Sequence, residues 1–505
     1  VVLQPGHYLL VWASKKNKTG NELHTNFKLS AGGEFVGLYT SAGAVVDTVT
    51  FGEQTTDISL ARIPNGTGTF VLTTNVTPGS QNQESAPPPT AELSFAPESG
   101  FFQGTIQVAL ATSIPGGQIR YTTDGSSVKA TSSRYTSPIS VHSTKVIRAR
   151  VFVDGAPASD DISHFYVINF NGHLPVISLA TDEENLYGRT GIFDHYEERG
   201  REWERSVSVN FLELDGSGFR INSGVRVHGG DSRKYPKKSM RLYFRSDYGE
   251  SKLNYKMFDQ KDITVFDKLV IHAGGTFDQI RDSKPWTLIM DPTNHFIFQE
   301  INGNMSASRP VLVYLNGEFW GIYHIRERID NDYLEANKNV SDADLLEYEL
   351  RETPTVKEGD LTEWNETWNF FKNNHLDNES NFNRAAELID IENFTDYYIF
   401  QIYVNNWDWP QANNFFFREN APSAKWEWIL WDTDRSWSNT MDQMVEWALR
   451  DRVRKDITSR DRESYLFSTL MVRRLLENDN YKNYFIKKTN LILRNIKSFL
   501  KCQAT

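Results

Sequence analysis

A chain of 505 residues is too long for one hydrophobic core, which stops growing near about 250–300 residues, and its length suggests about three domains. With 39% hydrophobic and 24% charged residues it lies well outside the composition of disordered chains, and no apolar run approaches the ~20 residues of a membrane span. The 54 Lys and Arg against 65 Asp and Glu leave a net charge of −11, which excludes nucleic-acid binding by bulk charge, and a lone cysteine, Cys502, excludes an intrachain disulfide or a thiolate-rich metal cluster.

Residues 1–82 read as short strands: Tyr8–Trp12, Phe35–Tyr39, Ala44–Phe51 and Phe70–Thr73 are rich in β-branched and aromatic residues. Turn chemistry separates them at Ala31-Gly32-Gly33-Glu34, Pro64-Asn65-Gly66 and Pro78-Gly79-Ser80. This spacing predicts an all-β sandwich. The run FVGLYTSAGAVVDTVTFGEQTTDISLARIPNG, with Phe27–Ser30 before it and TPGSQN after it, resembles the lamin-tail domain, a small immunoglobulin-like sandwich used for interaction or spacing. The resemblance lacks the first strand, so the chain is expected to begin inside that domain.

Residues 83–91 contain Pro87, Pro88 and Pro89 and read as a semi-rigid linker. Residues 92–168 alternate again, in Ile106–Ala109, Gln118–Thr122 and Val146–Val153. Here Ile119-Arg120-Tyr121-Thr122-Thr123-Asp124-Gly125 resembles a strand and turn of the chitobiase/hexosaminidase C-terminal sandwich, a module that accompanies carbohydrate-active and surface proteins. A surface or carbohydrate partner for the two sandwiches follows by association, not from a site.

From residue 174 to 505 strands come first, at Val207–Leu212, Gly224–His228, Met240–Phe244, Lys268–His272 and Pro310–Tyr314. Arg281-Asp282-Ser283-Lys284, followed by Pro285, reads as a helix start. Leu361–Lys372 carries Trp364, Trp368 and Phe371 on one helical face, with Asp360 and Glu363 spaced as a capping box. Phe394–Val404 is apolar nearly all round and belongs in a core; Leu466–Glu477 and Tyr481–Leu500 close the chain. Strands followed by helices indicate an α+β domain, and a bilobed enzyme has this order.

The densest chemistry lies between Asn405 and Trp437. Pro410 stops the buried helix, and Asn414–Arg418 with Trp426–Trp431 reads as a hairpin around a polar turn. Asp408 and Asn413 then sit on the loop before the hairpin, while Asp432 and Asp434 emerge as it ends. Phosphoryl transfer needs a carboxylate to take the hydroxyl proton and oxygen ligands for a divalent cation on the nucleotide phosphates. D-x-x-x-x-N followed by a strand pair and a further Asp supplies them in kinase order. Asp and Asn also favour turns, so the order of helix, loop, hairpin and second Asp carries more than the spacing alone.

The segments RVHGGDSRKYPKKSMRLYF, VYLNGEFWGIYHIRERIDNDYL, NNWDWPQANN and WEWILWDTDRSW, in that order, resemble the CotH family of atypical kinases. The resemblance implies a bilobed protein-kinase-like domain behind two immunoglobulin-like sandwiches. It also implies phosphorylation of Ser/Thr in a protein substrate, with ATP and Mg or Mn, in a bacterial secreted or surface protein. By position, Asp408 takes the place of the base, and Asp432 and Asn413 those of metal ligands, with Asp434 beside them. There is no G-x-G-x-x-G; Gly229 and Gly230, with Ser232 and Arg233, are the nearest phosphate-loop candidates.

Lys238 shares strand parity with Met240, Leu242 and Phe244, whereas Lys237 falls with Ser239, Arg241 and Tyr243. An ammonium on the apolar face needs an anion, so Lys238 is expected to hold the phosphates unless both lysines snorkel at a strand edge. Glu327, just after an apolar strand, either touches the nucleotide, pairs with that lysine, or belongs to a solvated charge ladder. His228, His272, His295 and His324 have no metal-ligand spacing and read as structural. Two other readings use the same residues. One is a surface-binding protein without turnover; the other is carbohydrate chemistry, with Asp432-Thr433-Asp434 as a D-x-D.

Overall fold

The computed structural model describes residues 6–82 except 21, 31–32, 41, 53–58 and 74–75, and then residues 93–275, 287–437, 444–449 and 467–503. The linker and the Arg281–Pro285 helix start lie outside the described residues. The first region contains strand pairs: Val11–Trp12 with Leu23–His24, Glu34–Tyr39 with Val45–Phe51, and Ser59–Ile63 with Thr69–Thr73. The expected strands form, and among the described residues they pair as separate two-stranded sheets, two of them joined by the Arg62–Asp47 ion pair. Among the described residues there, Ala61 is the one buried hydrophobic residue, while Leu38 and Val45 are 61% and 63% exposed. Alternation specifies hairpins locally; it does not supply a second sheet to cover them.

Residues 93–168 do form a sandwich. One sheet runs Ser133–Arg134, Gln118–Thr122, Lys145–Val153, Ile162–Ile168, Gly100–Phe102, and the other Ile139–Val141, Ile106–Thr112, Leu93–Ala96. Val108 and Leu110 point inward from one sheet and Ile147, Ala149 and Val151 from the other. Arg148 fixes the turn after IRYTTDG: it pairs with Asp161 at 2.8 Å and donates to the Gly125 carbonyl at 2.9 Å.

The next layer is a closed barrel, with strands in the order Val176–Ala180, Arg205–Leu212, Gly218–His228, Ser239–Tyr243, Lys268–His272, Glu318–Arg326, Ser308–Leu315. Closure removes the exposed edges that an open sheet would leave. Val209, Phe211, Val227, Met240, Leu242, Ile271, Val313 and Tyr323 fill its interior. Because side chains alternate, the opposite parity faces outward, and the two sides of this outer surface differ.

One side carries the sandwich. Val146, Phe165 and Val167 of the sandwich form a single cluster with Val176, Ala180 and Leu212 of the barrel. Around it, Ser163 and Ser208 bond through their hydroxyls at 2.6 Å, Asn210 donates to Ser163 at 2.7 Å, and Ser127 N–H donates to Asp182 at 2.7 Å. The other side presents His228, Arg241, His272, His324 and Arg326 toward the helical half.

That half is built on a sheet ordered Thr355–Glu358, Ala343–Glu349, Ala412–Glu419, Glu427–Ile429. Its central helix, Ile391–Tyr403, is capped by Asp390, which accepts from Asn393 N–H at 2.9 Å, and buries Phe394, Tyr397, Tyr398, Ile399 and Phe400. The Thr362–Asn373 helix buries Trp364, Trp368 and Phe371 as expected. The expected capping box does not form: the N-cap is Leu361 without a side-chain bond, Asp360 accepts from Thr362 N–H at 2.7 Å, and Glu363 pairs with Arg418.

Phe165 is fully buried in the layer shared by sandwich and barrel. We expect Phe165→Ala to cost about 3–5 kcal/mol, as large core truncations do. In calorimetry the sandwich and barrel should move to a lower temperature as one transition. Two separate transitions, only one of them shifted, would show that the shared layer is not a common core.

Candidate active site

The site begins where the central helix ends. Asn405 adopts a left-handed conformation, φ 51°, which asparagine tolerates well. Asn406, fully buried, donates to Gln401 at 3.0 Å and accepts from Asp408 N–H at 3.3 Å, so the loop carrying Asp408 is anchored to the helix. Asn414 donates to the Pro410 carbonyl at 2.6 Å and accepts from Tyr397 Oη at 2.7 Å. Between these anchors Asn413 stands at φ 57°, partly exposed, its amide without a hydrogen bond to any described residue.

The hairpin then delivers Trp431 and Asp432, the latter left-handed at φ 49°. Trp437 N–H bonds Val404 O at 2.7 Å and Trp407 N–H bonds Arg435 O at 3.3 Å, so the D-T-D-R segment folds back onto the Asp408 loop. Arg435 donates to Asp408 Oδ1 at 2.5 Å, with its guanidinium over the Trp407 ring at 4.6 Å.

Carboxylates crowd this point. The Asp432 carboxyl is pushed well above its ordinary range, first by burial and then by Asp434, Asp291 and Asp408, against the opposing pull of Arg326. Asp434 is 4% exposed and lies so close to Gly275 that a Cβ there would overlap its carboxylate; Gly275 also holds φ 67°. The sequence pattern therefore brings Asp408, Asn413, Asp432 and Asp434 onto one pair of adjoining segments. The Asp434 and Asp408 carboxylates thus lie close enough to act on Asp432.

Several residues at this point were not singled out by spacing. Asp291, on the Met290–Gln299 helix, accepts from Arg326 at 2.6 Å through Oδ2, and from Thr433 N–H at 2.7 Å and Oγ1 at 3.0 Å through Oδ1. Burial opposes its ionisation, but Arg326 and His295 outweigh it and hold the carboxyl well below its usual range. Asn294 donates to Thr433 O at 3.3 Å. Asp291, Asn294 and His295 have i, i+3, i+4 spacing, a polar stripe legible in the sequence. The histidines read as structural are buried neutral groups: burial, then Arg326, pulls His272 down to about 3, and burial and Arg241 pull His228 well below its usual value.

Four expectations need correction. Lys238 has the predicted parity with Met240, but that face lines the barrel interior rather than the cleft. Its ammonium donates to the carbonyls of Arg233 at 2.8 Å and Tyr235 at 3.0 Å and stands over the Tyr196 ring. Arg233 spends its donors on backbone carbonyls of Tyr196, Val227 and Glu198, and so clamps the loop. Ser232 turns its side chain back against Gly229. Glu327 pairs not with Lys238 but with Lys261 at 2.7 Å, and also accepts from Asn337 and Ala307 N–H, which makes it a buried strut.

Among the described residues no three His, Cys, Asp or Glu side chains are grouped to hold a metal by themselves. Mg²⁺ does not require this, because it takes one or two protein oxygens and leaves the rest to phosphate and water. Asp432, Asp434 and the amide of Asn413 offer oxygen donors, and a cation would relieve the repulsion that raises Asp432. The residues present therefore fit a hard divalent cation.

The fold and site together define a multi-domain α+β protein in which a β-sandwich, a barrel and a helical half bring a carboxylate cluster to the barrel's outer wall. Residues 225–498, more than half of the chain, match the family of CotH kinase proteins, and the chain belongs to that family. Residues 97–163 match the chitobiase/beta-hexosaminidase C-terminal domain. No curated protein matches the chain.

Two outcomes follow from the charges. Since the folded-state pKa of Asp432 is raised above 3.8, its ionised form costs stability that appears as pH rises. Asp432→Asn should therefore raise the thermal midpoint of the metal-free protein near neutral pH, and the gain should shrink toward acid pH. A lower midpoint at neutral pH would mean that the carboxylate is already neutralised. Lys238→Met removes two hydrogen bonds from a charged donor, each worth about 1.5–3 kcal/mol. It should lower the unfolding midpoint in urea and leave nucleotide affinity unchanged; the reverse result returns Lys238 to the site.

Proposed function

We propose that this protein transfers the γ-phosphoryl group of ATP to Ser or Thr hydroxyls of a secreted or surface protein. The observation that carries this reading is the meeting of the Asp408–Asn413 loop with Asp432 at the barrel's outer wall, in the chain order that phosphoryl transfer uses. Two further features support it. The chain belongs to the CotH kinase protein family. The buried Arg326–Asp291 pair also ties a barrel strand to a helix, as the Lys–Glu pair does in protein kinases.

In this reading Asp408 accepts the proton of the attacking hydroxyl as the new O–P bond forms and the bond to the ADP oxygen breaks. Arg435 keeps the Asp408 carboxylate in place through its ion pair. Asp432 and Asn413, with Asp434 adjacent, would hold Mg²⁺ or Mn²⁺, which when bound neutralises charge on the phosphate oxygens. The carbonyl anchors of Asn406 and Asn414 limit movement of the loop, so Asp408 and Asn413 keep their relative positions.

Incubation with Mg²⁺, γ-labelled ATP and a Ser/Thr-rich protein tests the reading. Label transferred to protein supports it; nucleotide binding without transfer points to a binding protein. Asp408→Asn should preserve nucleotide binding and lower turnover about 10²–10⁴-fold, the usual worth of a positioned acid–base group. If nucleotide affinity collapses as well, Asp408 acts as a metal ligand or a fold residue.

A further inference from the structure

Among the described residues, the outer wall of the barrel carries more positive charge than its neighbours neutralise. Arg226, Arg241 and Arg326 lie on adjacent positions across the strands, with Val270 between the last two. Arg226 pairs with Glu204 and Arg326 with Asp291. Arg241 and Arg328 make no ion pair among the described residues, and the buried Nε of each lacks a hydrogen-bond partner.

The described surroundings of these two arginines do not answer their charge. Arg241 donates to His228 Nδ1 at 2.8 Å, and that imidazole is held neutral. Arg328 stands 5.7 Å from the Trp431 ring centre and 5.9 Å from that of Phe415. Trp431 also meets His228 edge-on, with ring centres 6.5 Å apart. Asp330, the carboxylate that acts on Arg241 from a distance, is engaged by Lys268 at 3.1 Å and accepts from Tyr333 N–H. Burial, then Arg328, draws the Arg241 guanidinium down to about 10. Two like charges share a partly buried place with aromatic walls and, among the described residues, no counter-ion. Such an arrangement is costly unless an anion completes it.

We propose that Arg241 and Arg328, framed by His228, Trp431 and Phe415, form a binding site for a phosphate group, distinct from the carboxylate cluster. Guanidinium forks match phosphate oxygens in geometry as well as charge, and the aromatic walls limit water. Trp431 directly precedes Asp432, so the chain places this site next to the carboxylates. The phosphate belongs either to a nucleotide or to free pyrophosphate; both present the same oxygens. This proposal does not depend on phosphoryl transfer, because it needs neither Asp408 nor a metal.

Thermal unfolding of the full chain, in metal-free buffer without phosphate or sulfate, tests it with inorganic pyrophosphate, ADP and adenosine as separate probes. Pyrophosphate should raise the midpoint of the unaltered protein. In Arg241→Gln/Arg328→Gln the apparent affinity should fall about tenfold or more, as loss of charged hydrogen bonds implies. In ligand-free buffer the midpoint of that variant should stay level or rise, because repulsion has been removed; the single Arg328→Gln variant should do the same. ADP acting more strongly than pyrophosphate, with adenosine silent, assigns the phosphate to a nucleotide; equal action of ADP and pyrophosphate assigns it to the free anion. A pyrophosphate response unchanged in the double variant overturns the proposal. So does a variant-sensitive response to adenosine as strong as that to ADP, which would make the arginines a stacking surface for a base. A lower ligand-free midpoint in both variants would make them structural. Asp432→Asn should retain its pyrophosphate response, so failure of phosphoryl transfer and failure of this site are separable.

Discussion

The Asp291 carboxylate is the interaction on which the rest of the site depends. One oxygen faces Arg326 on a barrel strand at 2.6 Å; the other takes the Thr433 N–H at 2.7 Å. A side chain on a single helix therefore fixes both the barrel wall and the turn that presents Asp432. Removing one member of such a buried pair leaves an uncompensated charge that costs about 3–5 kcal/mol. Compact polar bracing of this kind matters because Asp432, Asp434 and Asp408 repel one another. Without Thr433 held at its centre, the D-T-D turn would relax toward wider spacing.

Charge is sorted around this brace. Acidic groups gather on the hairpin and loop of the helical half; arginines and neutral imidazoles gather on the outer wall of the barrel. Trp431 stands between them, with Arg326 at 4.4 Å over its ring. An aromatic face can lie against guanidinium on one side while its backbone leads directly into a carboxylate, so opposite charges approach without collapsing into one salt bridge. On the wall facing the helical half, alternation turns Met240, Leu242 and Ile271 inward and His228, Arg241 and Arg326 outward.

Much of the helical half was legible in the sequence. The buried helix and its end near Val404, the hairpin and the order Asp408, Asn413, Asp432 are local signals, and most strands of the barrel follow from alternation, Val176–Ala180 excepted. Lys238 shows where local reading fails. Its parity was correct, but parity does not say which face of a strand meets the cleft, and that depends on closing a barrel from strands far apart in the chain. The partners of Asp291 stayed hidden for a related reason: Thr433 and Arg326 are 142 and 35 residues away. The first 82 residues show strands present as expected and, among the described residues, paired as separate two-stranded sheets.

The layer between sandwich and barrel bears on how such chains can be reshuffled. The family match begins at residue 225, inside the Gly218–His228 strand, although the barrel starts at Val176. A fragment cut at that boundary would lose its first strands and open the barrel. One cut at Val176 would keep the barrel closed but expose Val176, Ala180 and Leu212, which the sandwich covers. The sandwich is therefore not an interchangeable bead on a string. Ser163 and Phe165 pack against Ser208, Asn210 and Leu212, so a change on one module's face calls for a matching change on the other's.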